Sequence, residues 1–187
     1  MESPRRPVRT APVMTVVLLA LIVLAGLTAG VLATTADDDD PGFLAGPAEL
    51  TDDVAIQIRD GLDGHGTEVV NLRDASNVVV DEASVPAGEV LPWHTHPGPL
   101  LIVVAEGEFT YVLADDCVER EYREGEALID PGGDTIHTAF NPQDDAETVL
   151  VATYLGVPDD GELTTLVDEE EAEELDDECD IDTPSPG

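Results

Sequence analysis

Apolar residues in the middle of the chain fall into short, mostly β-branched runs: Val69 to Leu72, Val78 to Val80, Leu100 to Val104, Phe109 to Leu113, Ala127 to Ile129 and Thr148 to Leu155. Clusters rich in Asp, Gly and Pro separate them, among them Asp74 to Asn77, Asp115-Asp116 and Asp130 to Asp134. Runs this short, bounded by turn formers, suit strands rather than helices. No stretch between Val54 and Val157 holds a long helical period. Many short strands at this spacing predict an antiparallel β-sandwich or barrel over residues 54–157. Within the run from Leu100, the side chains of Leu100, Ile102 and Val104 share one face and those of Leu101 and Val103 the other, which predicts a strand buried on both sides.

Both ends of the chain break this pattern. Arg5, Arg6 and Arg9 precede an uncharged stretch from Thr10 to Ala36, and Asp37 to Asp40 follow it. The stretch exceeds the roughly 20 residues a helix needs to cross a bilayer and is longer than the apolar core of a cleavable signal. We therefore expect a transmembrane helix over residues 11–36. Positive charge before it places residues 1–10 in the cytoplasm and the rest of the chain outside. Cleavage after Ala36 would instead release a secreted protein. Residues 37–53, with their Asp, Pro and Gly, read as an acidic linker. Residues 158–187 read as a flexible acidic tail, with room for a short helix between Leu163 and Glu174.

Charge narrows the function classes. The 187 residues hold 42 Asp and Glu against 7 basic residues, all of them Arg, for a net charge of -35. Such a chain cannot assemble the basic face that nucleic acid requires, and it would be repelled from an anionic membrane surface. An apolar content of 42% is too high for a disordered chain, so a folded core coexists with the charge. Ten of the thirteen residues from Asp168 to Asp180 are acidic, yet acids also punctuate the middle of the chain. Self-repulsion of this size is screened in multimolar salt, where the Debye length falls to roughly 3 Å or less. The composition resembles that of haloarchaeal proteins.

Candidate chemistry concentrates on histidine. Of the four present, His94 and His96 are two apart, so in a strand both imidazoles point to one side, in reach of one cation. Gly88 stands six residues before His94 and Gly107 eleven after His96; Gly125, Pro131, Gly132, Gly133, His137 and Asn141 follow in order. These two spaced motifs resemble the signatures of the cupin superfamily, small antiparallel β-barrels of jelly-roll type. The resemblance covers about residues 85–142, with flanking strands from roughly 55 to 157. It implies an all-β, cupin-like barrel in which Gly88, Gly107, Gly125, Pro131 and Gly133 make turns, and Asn141 completes the second motif. His94, His96 and His137 would hold a divalent transition metal, either Fe, Mn, Zn, Ni or Cu, among which imidazole alone does not select.

Two positions depart from that pattern. Where the family carries a carboxylate ligand, four residues after the second histidine, this chain has Leu100. Glu106 lies roughly 20 Å further along the strand at about 3.3 Å per residue, too far to substitute. The gap between Gly133 and His137 is also one residue longer than usual. His65 sits in a turn-like segment and reads as solvent-exposed. Trp93 reads either as a pocket wall or as core packing, and Tyr111 and Tyr122 are polar residues of unassigned place.

Cys117 and Cys179 show no metal-ligand spacing. Outside the cell they either pair, tying the acidic tail to the barrel, or stay as two free thiols. Functionally, the resemblance implies a metal-dependent oxidoreductase or isomerase acting on a small molecule. Two other readings are a binding or sensing module without turnover, for a metal or small ligand, and an interaction domain with vestigial histidines. The resemblance also implies a homodimer that covers the outer face of the Leu100 strand.

Overall fold

The computed structural model describes residues 43–185 apart from 62–65, 74, 76, 160 and 161. The expected membrane segment with its alternative cleavage point, and His65, lie outside the described residues. Among the described residues, no helix is long and apolar enough to cross a membrane.

Twelve strands and one helix follow along the described chain: β1 (Ala45–Glu49), β2 (Ile56–Asp60), β3 (Glu68–Leu72), β4 (Asn77–Val85), β5 (His94–Thr95), β6 (Leu100–Glu106), β7 (Glu108–Leu113), β8 (Glu119–Arg123), β9 (Ala127–Asp130), β10 (His137–Phe140), β11 (Thr148–Leu155), β12 (Thr165–Leu166) and α1 (Glu169–Cys179). Two antiparallel five-stranded sheets have the orders β1-β4-β11-β6-β9 and β12-β5-β10-β7-β8, and β2 and β3 pair as a separate ribbon. The all-β barrel expected from the run lengths is therefore present.

Alternation sets which side chains enter the core. Along β11, Thr148, Leu150 and Ala152 are buried while Val149, Val151 and Thr153 between them are not fully covered. Leu150 and Ala152 meet Val85, Leu100, Ile102 and Val104 from the same sheet and Phe109, Tyr111 and Ala139 from the other, so the main core lies between the two sheets. Gly107 turns the chain from β6 into β7 with φ of 84°, and a Cβ there would stand 2.8 Å from Thr148 Oγ1. Only glycine meets both conditions. Gly88, Gly125 and Gly133 likewise have positive φ at turns.

Three expectations need correction. Strand β6 is not covered on both faces, since Leu101 and Val103 stay 44% and 36% exposed. The doubly buried strand is β7, where Tyr111 and Leu113 enter the main core while Val112 packs with Trp93, Val167 and Ala172 in a second cluster. The linker expected over residues 37–53 contains β1, which extends the first sheet against β4. Its side chains are all exposed, so backbone pairing alone defines it and no apolar period announces it.

The third correction concerns the tail. The short helix allowed for between Leu163 and Glu174 is present, shifted to Glu169–Cys179 as α1, but in place of a flexible segment the residues before it add β12 to the edge of the second sheet. Asp168 caps that helix by accepting a hydrogen bond from Glu171 N at 3.0 Å, and the acids Glu169 to Glu171 suit its positive end. Ala172, Leu175 and Cys179, spaced three and four apart, pack into the second cluster. Cys179 is disulfide-bonded to Cys117 in the loop after β7. Closing a loop with a sequence separation of 62 residues stabilises the fold by on the order of 4 kcal/mol in the chain-entropy picture.

Asn141 is the polar fastening of the barrel end. Its amide donates to the carbonyls of Val85, Pro86 and Ala146 at 3.0, 3.2 and 2.8 Å and its Oδ1 accepts from Gln143 N at 3.0 Å, all in a nearly sealed position. Asn141→Ala leaves these groups unpaired and is expected to cost about 2–4 kcal/mol. Chemical denaturation of the two proteins side by side measures the difference, and a loss under about 1 kcal/mol contradicts this role.

Candidate metal centre

The first two histidines are placed by a strand too short to do anything else. Pro92 and Pro97 bracket Trp93 to His96, and a proline cannot donate to a sheet ladder, which restricts β5 to two residues. His94 and His96 then emerge on the same side, with ring centroids 4.8 Å apart. Trp93 points the other way into the second cluster, fully buried, so it is core packing and not a pocket wall. His137 opens β10 directly opposite His94, and their ring centroids lie 4.2 Å apart.

The chain reaches His137 through a tight bend. Gly132 has φ of 65°, and a Cβ on it would lie 2.1 Å from the carbonyl oxygen of Gly98. Gly133 N donates to His96 O at 2.8 Å, which joins the bend to the strand end that carries the other two imidazoles. The extra residue before His137 is absorbed in this turn.

One nitrogen from each of the three histidines lies within 4.8 Å of the others, and all three side chains are buried. His94 Nδ1 is 2.7 Å from Pro92 O, and His96 Nδ1 is 2.7 Å from Leu163 O. A carbonyl oxygen only accepts, so each of these rings keeps its proton on Nδ1 and leaves Nε2 with a free lone pair. Burial, and secondarily the charge of His96, hold His94 down at about 4. Burial likewise holds His137 well below the usual imidazole range, reinforced by His94 and His96. Neutral imidazoles with free lone pairs are what a divalent transition-metal ion requires, so this donor set fits one.

A carboxylate stands behind the third ring. Asp130, fully buried, accepts from Tyr111 Oη at 3.1 Å and from Gly132 N at 2.6 Å. Its Oδ2 lies 3.0 Å from His137 Nδ1, close enough to attract a proton there, and the Thr135 backbone offers the same ring a second acceptor. Leu100, the residue at the missing carboxylate position, pairs directly across β6 and β9 with Asp130. The site thus has a buried carboxylate, placed behind a candidate ligand instead of among the three.

The histidines form one wall of a cavity of about 180 Å³. Its other walls are largely apolar, including Val85, Leu100, Ile102, Phe109 and Leu150. Polar exceptions are Ser84, Tyr111, already donating to Asp130, Thr164, and Tyr154, whose ring meets His96 edge-on at 5.6 Å. Burial pushes the Tyr154 phenol up to about 12, so it stays a donor at neutral pH. Tyr122 is not among the lining residues, and Glu106 is exposed at the far end of β6. Sequence reasoning missed Asp130, Tyr154 and Thr164. The shared face of Leu150, Ala152 and Tyr154 was a usable signal for the second; the others carried none.

Residues 82–154, which include all three histidines, match the cupin domain family Cupin_2. The matched stretch is a cupin domain. Among solved structures, the cupin barrel is similar to the polyketide cyclase RemF from Streptomyces resistomycificus, at 24% identity over 48% of this chain and 60% of that one, with a TM-score of 0.40. It is also similar to the DMSP lyase DddQ from Ruegeria pomeroyi, at 19% identity over 48% of this chain and 43% of that one, with a TM-score of 0.41. A cupin domain from Bordetella pertussis aligns at 23% identity over 55% of this chain and 94% of its own, with a TM-score of 0.38. The cupin chain thus spans less than two thirds of the cyclase and of the lyase. No curated protein matches it.

Two outcomes follow for the cupin centre. Asp130→Asn is expected to weaken metal affinity by about 10–100-fold, the usual effect of removing a carboxylate behind a histidine ligand; titration against a competing chelator reads it. The metal-free protein should lose stability on acidification. The unfolded chain takes up protons below about 6.5, while His94 in the fold resists until about 4. Its contribution is therefore complete above about pH 6.5 and lost as pH falls toward 4. Melting temperature measured across that range should drop, and His94→Ala should flatten the slope.

Proposed function

We propose that this cupin barrel binds a divalent transition metal on His94, His96 and His137 and holds a small molecule by its polar end at the remaining coordination positions. The convergence of three buried imidazoles on the wall of a largely apolar cavity supports this reading above all. A bound divalent ion would supply a Lewis acid that keeps its full positive charge, because no carboxylate shares its coordination. The apolar walls exclude water and suit a hydrocarbon body. Tyr154 and Thr164 provide hydroxyls that can orient a ligand oxygen.

The cavity lining contains no lysine, arginine or carboxylate. With the three imidazoles engaged as ligands and Tyr111 engaged with Asp130, the proton carriers left among the described lining residues are the hydroxyls of Ser84, Tyr154 and Thr164, none of them a strong base. That favours holding a ligand over turnover that needs a strong general base, and makes metal-dependent oxidoreductase or isomerase activity the second reading. We further propose that the barrel sits outside the cell on the anchor of residues 11–36. The charge order around that segment and a disulfide suited to an oxidising compartment support this placement.

The test is elemental analysis of the full chain, purified in detergent and molar salt without chelator, beside a variant carrying His94→Ala and His96→Ala. The expected result is about one transition-metal ion per chain in the parent and next to none in the variant. A parent that stays metal-free after exposure to Fe, Mn, Zn, Ni and Cu contradicts the proposal.

A further inference from the structure

The segment from Leu163 to Cys179 lies outside the residues that match the family, yet it reaches the metal centre at several points. Leu163 supplies the carbonyl that faces His96 Nδ1. Thr164 lines the cavity and places its Oγ1 3.5 Å from the same nitrogen. Thr165 and Leu166 pair with Thr95 and His94, so β12 is the outer neighbour of the strand that carries two of the three ligands. Val167 N donates to Trp93 O at 3.2 Å. Further on, Asp176 Oδ1 accepts from Trp93 Nε1 at 2.7 Å.

Beyond these bonds and the packing of Val167, Ala172 and Leu175, little holds this segment in place. Strand β12 has two residues, both exposed. Helix α1 has 8 acids in 11 residues, EEEAEELDDEC, and no base in its last turn, where acids oppose the negative helix end. Only Ala172 is fully buried along it. The covalent link is therefore decisive. On the barrel side the Cys117 loop is tied down by Arg120, which is almost fully buried, binds Asp116 Oδ2 at 2.6 Å and also donates to Val118 O at 3.0 Å.

We propose that residues 163–179 are a strap that positions His96 and walls the cavity, and that the Cys117–Cys179 disulfide is its latch. The proposal rests on the three histidines being the metal ligands. With the latch closed, the Leu163 carbonyl fixes the His96 tautomer and Thr164 closes one side of the cavity. A dithiol reductant opens it: two electrons and two protons convert the cystine into two thiols, while the reductant becomes its own disulfide. Both cysteines are half-buried, within reach of a small reductant. Once unlatched, α1 repels itself and the barrel, β12 leaves β5, and the His96 ring loses its acceptor. Metal and ligand then exchange more readily.

The test compares the full chain loaded with Co(II) in three forms: oxidised, treated with a dithiol, and carrying Cys117→Ser with Cys179→Ser. Hydrogen exchange follows the amides, and visible absorption follows Co(II) loss to excess chelator. Expected in both unlatched forms is fast exchange over residues 163–179 with protection kept in β6, β7 and β11, together with metal release at least about tenfold faster, as for loss of an outer contact to a ligand. Asp176→Ala, which removes the acceptor of the Trp93 indole and of Thr183 while leaving the buried ring in place, should give a smaller change in the same direction. Unchanged protection of the strap after unlatching overturns the latch; an exposed strap with unchanged release overturns its role at His96. Loss of protection throughout the barrel also overturns the latch, since the disulfide would then hold the whole fold. Absence of Co(II) from every form overturns the metal reading alone, and the exchange data on the metal-free chain still decide the strap.

Discussion

Three imidazoles share one buried space, and a second proton on His94 or His137 is disfavoured there. Burial and mutual repulsion keep His94 and His137 neutral far below the usual imidazole range. The rest of the barrel is arranged around that constraint. Backbone carbonyls occupy Nδ1 of two rings, Asp130 stands behind the third, and apolar side chains from both sheets keep water away. Such a cluster costs stability while it has nothing to share, because three lone pairs face one another in a medium of low dielectric. A cation among them converts that repulsion into coordination, which is why geometry of this kind points to metal.

The charge distribution follows the same division between inside and outside. A chain of net charge -35 still buries a carboxylate completely, but Asp130 has donors from Tyr111 and Gly132, as a buried charge requires. Exposed acids have no such need and are spread over turns, strand edges and α1. Where acids crowd in the last turn of that helix, packing of Ala172, Leu175 and Cys179 and the disulfide to Cys117 keep it folded against the barrel.

The second hydrophobic cluster links the two halves of this picture. Trp93 precedes His94 in sequence and faces the opposite side of the strand, so its burial under α1 fixes the strand that aims the imidazoles. The same tryptophan bonds Asp176 through its indole nitrogen. Packing on the back of the second sheet and chemistry on its front are thus adjacent residues of one short strand.

Much of this was legible in the linear chain because strand geometry has a period of two. The spacing of His94 and His96, the turn glycines and the order of the second motif are local properties, and they sufficed for the barrel and for the three candidate ligands. Alternation also reports which residues share a face, but not what covers that face. For this reason β6 was expected to be buried on both sides, when β7 is the strand that α1 covers. Strand β1 carries no apolar period of its own, and the tail only the short run Ala172, Leu175 and Cys179; a partner strand and a disulfide hold them. Whether Cys117 meets Cys179, whether Asp130 stands behind His137, and whether Leu163 reaches His96 depend on contacts between residues 62, 7 and 67 positions apart. The sequence by itself determined the strands and the imidazoles on them, since those follow from neighbours along the backbone. Only tertiary structure decided what stands around the imidazoles, because that depends on which distant segments pack together.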